Sequence, residues 1–312
     1  MDLRPAVPIV PRGYHRPGRL DEYLPSADEP IDRWFQAANA SNVRTTMAII
    51  ADLCPRPPAY LVDPFAGSGS AAVVSRLLDV PFHGIELDPV LACVTIAKAL
   101  ARSEHVPDGF APAGGGGSRD GRDTLVADCL ALLEEIPGSS AGPAVVRRDL
   151  RANEPPAHAA TTVVHGDASS AASWSHIAPR PGPGVLYTSP PFGPSSPRVQ
   201  VEDAVRERAR ALLEKHDVSR EPGAGRPAAD GGRRETPPGY ADLVVAVLRQ
   251  ARRLGPLTAV IEHEPPDDGR DDRAEIAARI VADTDAELTA VLETQAFSRR
   301  GPLSLFVCEL SA

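Results

Sequence analysis

The chain has 312 residues, of which 42% are hydrophobic and only 4% aromatic, so its core must consist mainly of Leu, Val, Ile and Ala. Lys and Arg number 33 against 42 Asp and Glu, and the formal net charge of −9 excludes a general affinity for DNA or RNA, although not a local basic patch. The scattered cysteines, without a Cys-x-x-Cys pair, indicate neither a disulfide framework nor a metal site: Cys54, Cys93, Cys129 and Cys308.

The N-terminal part of the chain lacks the apolar periodicity of packed elements. Because its beginning is rich in Pro, Arg and Asp, we predict an extended arm over residues 1–40. Ser41 is suited to cap a helix that ends near Leu53, ahead of Pro55. No segment has the apolar length of a signal peptide or a membrane span, so we expect a cytoplasmic protein without a membrane partner.

From residue 59 onward, short apolar runs alternate with helical patterns. The predicted strands are 59–62, 82–87, 161–164, 185–187 and 257–262, followed by a hairpin of 287–294 and 303–310. The predicted helices are 70–78, 89–102, 124–136, 201–215, 240–254 and 273–283. This alternation predicts an α/β domain over residues 41–312: a Rossmann-like, doubly wound, mostly parallel seven-stranded sheet with a C-terminal antiparallel hairpin.

Two insertions interrupt the alternation, at about residues 104–158 and 194–238. Both are rich in Gly and Pro, and the first contains four consecutive glycines at 114–117, so we predict that they are flexible. The second begins with a charged helix whose interleaved Arg and Glu residues favour a salt-bridged surface helix over a nucleic-acid contact or a lid.

A glycine-rich loop follows the first strand of the alternating pattern, with the sequence Asp63-Pro-Phe-Ala-Gly-Ser-Gly-Ser70. Gly67 and Gly69 let the backbone turn sharply and approach a ligand without interference from a Cβ atom. The N–H groups of the following helix can hold the carboxylate of an amino-acid-like cofactor. Many folds use such a turn, so the loop alone does not identify its ligand.

Acidic residues follow the next two strands. Glu86 ends a strand about 20 residues after the glycine-rich turn, where a carboxylate can bind ribose hydroxyls. Asp167 can accept a hydrogen bond from an adenine amino group. The alternatives are a solvated strand end for Glu86 and a turn-forming aspartate at position 167.

The strand at 185–187 is followed by Thr188-Ser-Pro-Pro-Phe-Gly193. Consecutive prolines fix the backbone and leave carbonyl oxygens without neighbouring N–H partners. The Pro190 carbonyl and the Ser189 hydroxyl can therefore accept hydrogen bonds from a substrate amine, while Phe192 offers a ring for stacking or a cation–π contact. After a strand and downstream of the glycine-rich loop, this turn is the catalytic candidate: Ser189, Pro190, Pro191 and Phe192.

The pair DPFAGSGS and TSPPF resembles the paired motifs of the amino-methyltransferases, the group that contains the DNA adenine-N6 and cytosine-N4 methylases. The resemblance covers roughly residues 41–103 and 160–310. It implies a class I N-methyltransferase that uses S-adenosylmethionine, with the target nitrogen held by residues 189–192. It also implies that Glu86 holds the ribose and Asp167 contacts the adenine, within a cofactor pocket lined by Asp63, Phe65, Gly67, Gly69, Glu86 and Asp167.

Three features separate the chain from the DNA methylases: its negative charge, the lack of an obvious target-recognition domain, and an acidic run after the fifth strand. That run comprises Glu262, His263 and Glu264, and then Asp267, Asp268, Asp271 and Asp272. Carboxylates at a strand end repel phosphates and attract an ammonium group. We therefore favour an amine-bearing peptide or small molecule, such as a natural product, as substrate, with an exocyclic amino group of DNA or RNA as the alternative.

The acidic run has a second interpretation, as a solvated loop. His263 is a candidate general base, or simply an exposed histidine.

Two other classes of protein are alternatives to a methyltransferase. A non-catalytic binding module would have lost one of the two motifs, and both are intact. A dinucleotide oxidoreductase would need Gly-x-Gly-x-x-Gly, and the third glycine is missing here.

Overall fold

The computed structural model describes residues 9–10, 29–36, 43–54, 56–106, 121–152, 160–190, 201–218, 239–264, 271–298 and 301–311. Its strands are β1 (Ile9–Val10), β2 (Tyr60–Asp63), β3 (Phe82–Glu86), β4 (Thr162–His165), β5 (Gly184–Thr188), β6 (Leu257–His263), β7 (Glu287–Ser298) and β8 (Gly301–Leu310). Its α-helices are α1 (Val43–Leu53), α2 (Ser70–Leu77), α3 (Pro89–Leu100), α4 (Gly121–Leu133), α5 (Pro143–Ala152), α6 (Ala171–Ser175), α7 (Asp203–Lys215), α8 (Tyr240–Ala251) and α9 (Arg273–Asp283).

All of these strands belong to one sheet, in the order β1-β7-β8-β6-β5-β2-β3-β4. Strands β2 to β6 pair in parallel, and β8 runs antiparallel to both β6 and β7. The arrangement confirms the predicted Rossmann-like sheet and its C-terminal hairpin. The seven predicted strands are β2 to β8, whereas β1 pairs in parallel with β7 at the sheet edge and is too short to show a sequence pattern.

The sheet is covered by helices on both faces, as a doubly wound fold requires. Helices α1 to α5 and α7 contribute to the hydrophobic core on one face, and α6, α8 and α9 contribute to the core on the other. Helix α3 is buried along almost its whole length, because it lies between the sheet and helices α4 and α7. It begins with Asp88 as a capping residue, whose Oδ1 accepts hydrogen bonds from the Val90 and Leu91 amides, and with Pro89 in the first turn.

Part of the predicted N-terminal arm is packed rather than extended. Residues 29–36 contain a short 3-10 helix, Asp32–Trp34, in which the Trp34 side chain is fully buried. Ile31 before it has a φ of 68°, a strained value for a β-branched residue. The sequence favours extension here because Pro and charged residues surround the few apolar residues that are buried in the structure: Ile31, Trp34 and Phe35. The rest of the arm lies outside the described residues, apart from β1.

The first insertion contains the predicted helix, as α4, and a second helix, α5, that was not predicted. Within 104–158, helices α4 and α5 pack on the core, and Leu130, Leu133 and Leu150 are completely buried. Helix α5 escapes prediction because only Val146 and Leu150 mark its apolar face. In the second insertion, α7 confirms the predicted helix, and residues 194–200 and 219–238 lie outside the described residues.

None of the described helices combines the length and the hydrophobicity that a bilayer crossing needs. The four cysteines are free thiols, as the sequence indicates.

Candidate active site

The carboxyl ends of the parallel strands bring most of the predicted site residues to one edge of the sheet. Strand β2 lies at the centre, with β3 on one side and β5 on the other, so the order of connection reverses between β2 and β5. Ligands of open α/β sheets bind in the crevice at such a reversal. Asp63 ends β2, Glu86 ends β3, Asp167 follows β4 and Ser189 follows β5.

The glycine-rich loop is held against β3 and has the backbone conformation that its glycines allow. The Ala66 amide donates to the Ile85 carbonyl at 3.0 Å, and the Gly69 amide donates to the Ala66 carbonyl at 2.8 Å. Gly67 and Gly69 have φ values of 54° and 82°, in the left-handed region. A Cβ atom on Gly67 would meet only a carbonyl oxygen at 3.7 Å, so this residue faces open space in which a ligand can approach the backbone.

Glu86 is fixed at the end of β3 by two backbone amides. Its Oε2 accepts from the Gly67 amide at 2.7 Å, and its Oε1 accepts from the Asp88 amide at 2.8 Å. Burial raises the pKa of the carboxyl to about 7, although these two hydrogen bonds act in the opposite direction. Each oxygen retains a lone pair, which can accept a hydroxyl of a ligand.

Asp63 connects the two sequence motifs. Its Oδ1 accepts hydrogen bonds from the Phe65 amide at 3.0 Å and from the Thr188 hydroxyl at 2.9 Å. Burial raises the pKa of the Asp63 carboxyl to about 7, against the effect of both hydrogen bonds. Thr188 stands directly before Ser189, so this contact joins the first residue of the glycine-rich motif to the start of the proline motif. Nothing in the sequence around Thr188 indicates this role, because the contact joins positions 125 residues apart.

The other predicted residues are less fully defined. Asp167 forms a turn, because its Oδ1 accepts from the amide and the hydroxyl of Ser169, both at 2.8 Å. Ser189 is partly exposed and Pro190 is buried at the end of β5. Pro191 and Phe192 lie outside the described residues.

A buried tyrosine and a buried carboxylate are in contact between the neighbouring strands β5 and β6. The Tyr187 hydroxyl donates to Glu262 Oε1, and the Glu262 backbone carbonyl accepts from the Tyr240 hydroxyl at 2.5 Å. Burial and the neighbouring Glu262 carboxylate raise the pKa of Tyr187 well above its ordinary value. Glu262 is therefore engaged within the fold and does not stand free in a solvated acidic loop.

His263 is buried, which contradicts its interpretation as an exposed histidine. Its ring is buried against Tyr240 and Phe306, with ring centroids 4.8 and 5.9 Å away. Its Nε2 lies 2.7 Å from Asp272 Oδ1. Burial lowers the pKa of His263, and Asp272 partly offsets this shift. The structure thus places His263 in the core, between two aromatic rings and the Asp272 carboxylate.

Most of the described acidic run is used in local contacts. Asp272 binds His263, and Asp271 binds Arg273 at 2.8 Å. Asp267 and Asp268 lie outside the described residues. The structure therefore removes much of the sequence argument for an ammonium site at this strand end.

The charged helix α7 forms ion pairs, as predicted. Arg206 pairs with Asp88, next to Glu86, and Arg208 pairs with Glu135 of the loop after α4. The first pair joins the second insertion to the edge that carries the candidate site, and the second pair joins it to the first insertion.

A basic surface is present on α5. Arg147, Arg148 and Arg151 line a shallow cavity of about 590 Å³ together with Ala144 and Ala152, and Arg148 and Arg151 are exposed. The opposite side of α5 carries Asp149, which is buried and accepts hydrogen bonds from Ile31, Arg33 and Trp34. The arginine surface thus lies on the helix that anchors residues 29–36.

One group of described side chains has the spacing of metal ligands: Glu104, His105 and Asp123. The Arg102 amide donates to His105 Nδ1 at 2.9 Å, so Nε2 carries the proton and donates to Asp123 at 3.1 Å. A metal at Nε2 would need the other tautomer, and we assign no metal to this group.

The comparison with protein-family models finds no match, and neither does the comparison with curated proteins. Among solved structures, the chain is similar to TrmN from Thermus thermophilus, with 14% identity over 91% of this chain and 53% of that one and a TM-score of 0.43. It is also similar to the rRNA methyltransferase aviRa from Streptomyces viridochromogenes, with 14% identity over 96% of both chains and a TM-score of 0.43.

A third similar structure is a putative class I S-adenosylmethionine-dependent methyltransferase from Listeria monocytogenes, with 12% identity over 90% of this chain and 64% of that one and a TM-score of 0.40. The chain spans about half the length of the Thermus protein. At such identities and TM-scores we take no cofactor, substrate or residue role from these proteins.

Proposed function

We propose that this chain is an S-adenosylmethionine-dependent N-methyltransferase whose acceptor is an amine of a peptide or small molecule. The observation that carries the proposal is the hydrogen bond from Thr188 to Asp63, at 2.9 Å. It holds the glycine-rich motif and the proline motif side by side at the reversal point of the sheet. A cofactor on the first motif would then lie next to an acceptor on the second.

The residues present fit this cofactor. The open side of Gly67 leaves room for a ligand to approach the backbone. The Ser68 hydroxyl is buried and has no hydrogen-bond partner among the described residues, so a polar group of a ligand can satisfy it. Glu86 would hold the ribose hydroxyls, the N–H groups at the start of α2 the amino-acid carboxylate, and Asp167 the adenine.

S-adenosylmethionine, when bound, supplies an electrophilic methyl group on a sulfonium sulfur. The acceptor would have to bind as a neutral amine, because an ammonium group has no lone pair, and the proton left on its nitrogen after transfer would pass to solvent. The chain's own contribution is then to position the acceptor, because displacement at a sulfonium needs little further acid–base assistance. Ser189 Oγ and the Pro190 carbonyl would accept N–H hydrogen bonds from the acceptor and direct its lone pair. Phe192 would pack against the acceptor and exclude water from it.

The net charge of −9 supports a neutral or cationic acceptor. The arginine surface of α5 favours a second candidate, the exocyclic amino group of a nucleic acid base. The guanidinium groups of this surface can contact phosphates. Helix α5 also contacts residues 29–36 through Asp149, and these residues contact Ser70 at the start of α2 through Asp32.

The cofactor assignment predicts the effect of removing the Glu86 carboxylate. Glu86→Ala should weaken the affinity for S-adenosylhomocysteine about 5-fold to 150-fold, or about 1–3 kcal/mol, because the ribose hydroxyls lose their acceptor. Calorimetric titration measures this change. Glu275→Ala, an exposed glutamate on α9, is the matched control and should bind like the wild type. Unchanged affinity in Glu86→Ala would rule out the ribose role.

The second candidate predicts a salt-dependent contact at α5. Arg151→Glu should weaken binding of a short labelled RNA hairpin or DNA duplex and reduce the slope of log affinity against log salt by about 1, since one phosphate contact is lost. Arg253→Glu makes the same charge change at another exposed position and should leave the slope unchanged. Equal binding by the two variants, or none by the wild type, would leave the amine of a peptide or small molecule as the acceptor.

A further inference from the structure

The corner where the glycine-rich loop enters α2 is contacted by two elements that are remote in sequence. Helix α3 lies on one side of this corner, and residues 29–36 lie on the other. Both contacts are made by polar groups that are almost completely buried.

Lys98 is the centre of this contact. Its side chain is 0% exposed, and its Nζ donates to the Asp32 carbonyl at 2.9 Å, to Asp32 Oδ1 at 2.9 Å and to the Phe35 carbonyl at 2.7 Å. Asp32 Oδ1 also accepts from the Ser70 hydroxyl at 3.1 Å. Asp32 therefore connects the lysine directly to the first residue of α2.

Helix α3 also contacts the glycines of the loop. A Cβ atom on Gly69 would lie 3.1 Å from Thr95 Oγ1 and 3.3 Å from Lys98 Cδ, so the stem of Lys98 packs on the glycine backbone. The Thr95 hydroxyl donates to the Gly67 carbonyl at 3.0 Å. Gly67, Gly69 and Ser70 are thus each held by a side chain from outside the loop.

Residues 29–36 are themselves anchored away from the loop. Asp149 of α5 accepts from the Ile31 amide at 3.1 Å and from Trp34 Nε1 at 3.0 Å, and it also binds Arg33. The segment is therefore a fixed support for Asp32. A buried ion pair contributes little to stability when an apolar substitute packs equally well, but its hydrogen bonds restrict the geometry of what they hold.

We propose that Asp32, Lys98 and Ser70 are positioning residues of the glycine-rich loop. Residues 29–36 fix the loop through the Ser70 hydroxyl, in the conformation that receives the cofactor. The cofactor part of this inference rests on the proposed function, whereas the effect on the loop does not.

The test compares two buried serines of the same helix. Ser70→Ala removes the connection to Asp32. Ser75→Ala removes a hydroxyl that only donates to the Ala72 carbonyl within α2, at 2.7 Å. Amide hydrogen exchange of residues 64–73, without cofactor, should be about threefold or more faster in Ser70→Ala than in the wild type, because loop opening becomes easier. Ser75→Ala should exchange like the wild type.

Affinity for S-adenosylhomocysteine is the second measurement. Ser70→Ala should weaken it about threefold to tenfold, with Ser75→Ala within about twofold of the wild type. Equal exchange in the two variants would overturn the positioning role. Faster exchange in Ser70→Ala with unchanged affinity would overturn the claim that the positioned conformation is the one that receives the cofactor. A wild-type chain that does not bind the cofactor contradicts the proposed function, and the exchange result still decides whether these residues position the loop.

Discussion

Replacing Lys98 with methionine is expected to lower the free energy of unfolding by about 3–5 kcal/mol. The methionine fills a similar volume but leaves the Asp32 carboxylate buried without its cation, together with two backbone carbonyls that lose their donor. Burial lowers the pKa of Lys98, and the Asp32 carboxylate opposes this shift. The carboxylate therefore favours the charged form of the buried lysine. Urea denaturation followed by circular dichroism measures the loss.

Lys215, the other lysine of the chain, provides the control. Its side chain is 61% exposed and pairs with Asp128 at the surface. Lys215→Met should cost less than about 1 kcal/mol, because exposed ion pairs contribute little. If the two variants were equally stable, the Lys98 contact would not be the rigid anchor that the structure indicates.

Replacing Phe192 with alanine is expected to reduce turnover about 100-fold, since a poorly placed acceptor reacts far more slowly than one held in line. Cofactor affinity should remain that of the wild type, because Phe192 belongs to the proline motif and not to the glycine-rich loop. Turnover is measured as transfer of a labelled methyl group to the acceptor that the wild-type chain methylates.

Phe192→Leu separates the two contributions of this ring. Leucine still fills apolar space, so it should restore part of the turnover if exclusion of water is the main effect. It should restore little if ring stacking or a cation–π contact dominates. A parallel loss of turnover and cofactor affinity in Phe192→Ala would contradict the assignment of residues 189–192 to the acceptor.

The sequence predicts the sheet well because its strands are short apolar runs between clear helix signals. The helix predicted to begin at Pro89 is α3, and in the structure it begins at the same residue. The glycine-rich loop and the proline motif could be placed at one edge because parallel strands bring their carboxyl ends together. These are local patterns whose spatial consequences follow from the fold class.

Tertiary contacts between polar groups could not be predicted in the same way. Asp32 and Lys98 are 66 residues apart, and the local sequence at neither position predicts which residue it contacts. One signal was present, since Lys98 interrupts an otherwise apolar helix and a buried lysine needs a partner. The predicted exposure of His263 was wrong for a related reason. A histidine within an acidic run is expected to be solvated, and its burial results from packing against Tyr240 and Phe306, which the sequence does not show.

The most direct test of the central claim is a calorimetric titration of the folded chain with S-adenosylhomocysteine, repeated with a short duplex DNA present. The proposed function predicts one binding site per chain, at the glycine-rich loop, Glu86 and the Ser68 hydroxyl. Binding that does not respond to DNA supports an amine of a peptide or small molecule as acceptor, and binding that strengthens supports a nucleic acid. A folded chain that shows no binding would contradict the assignment as a methyltransferase.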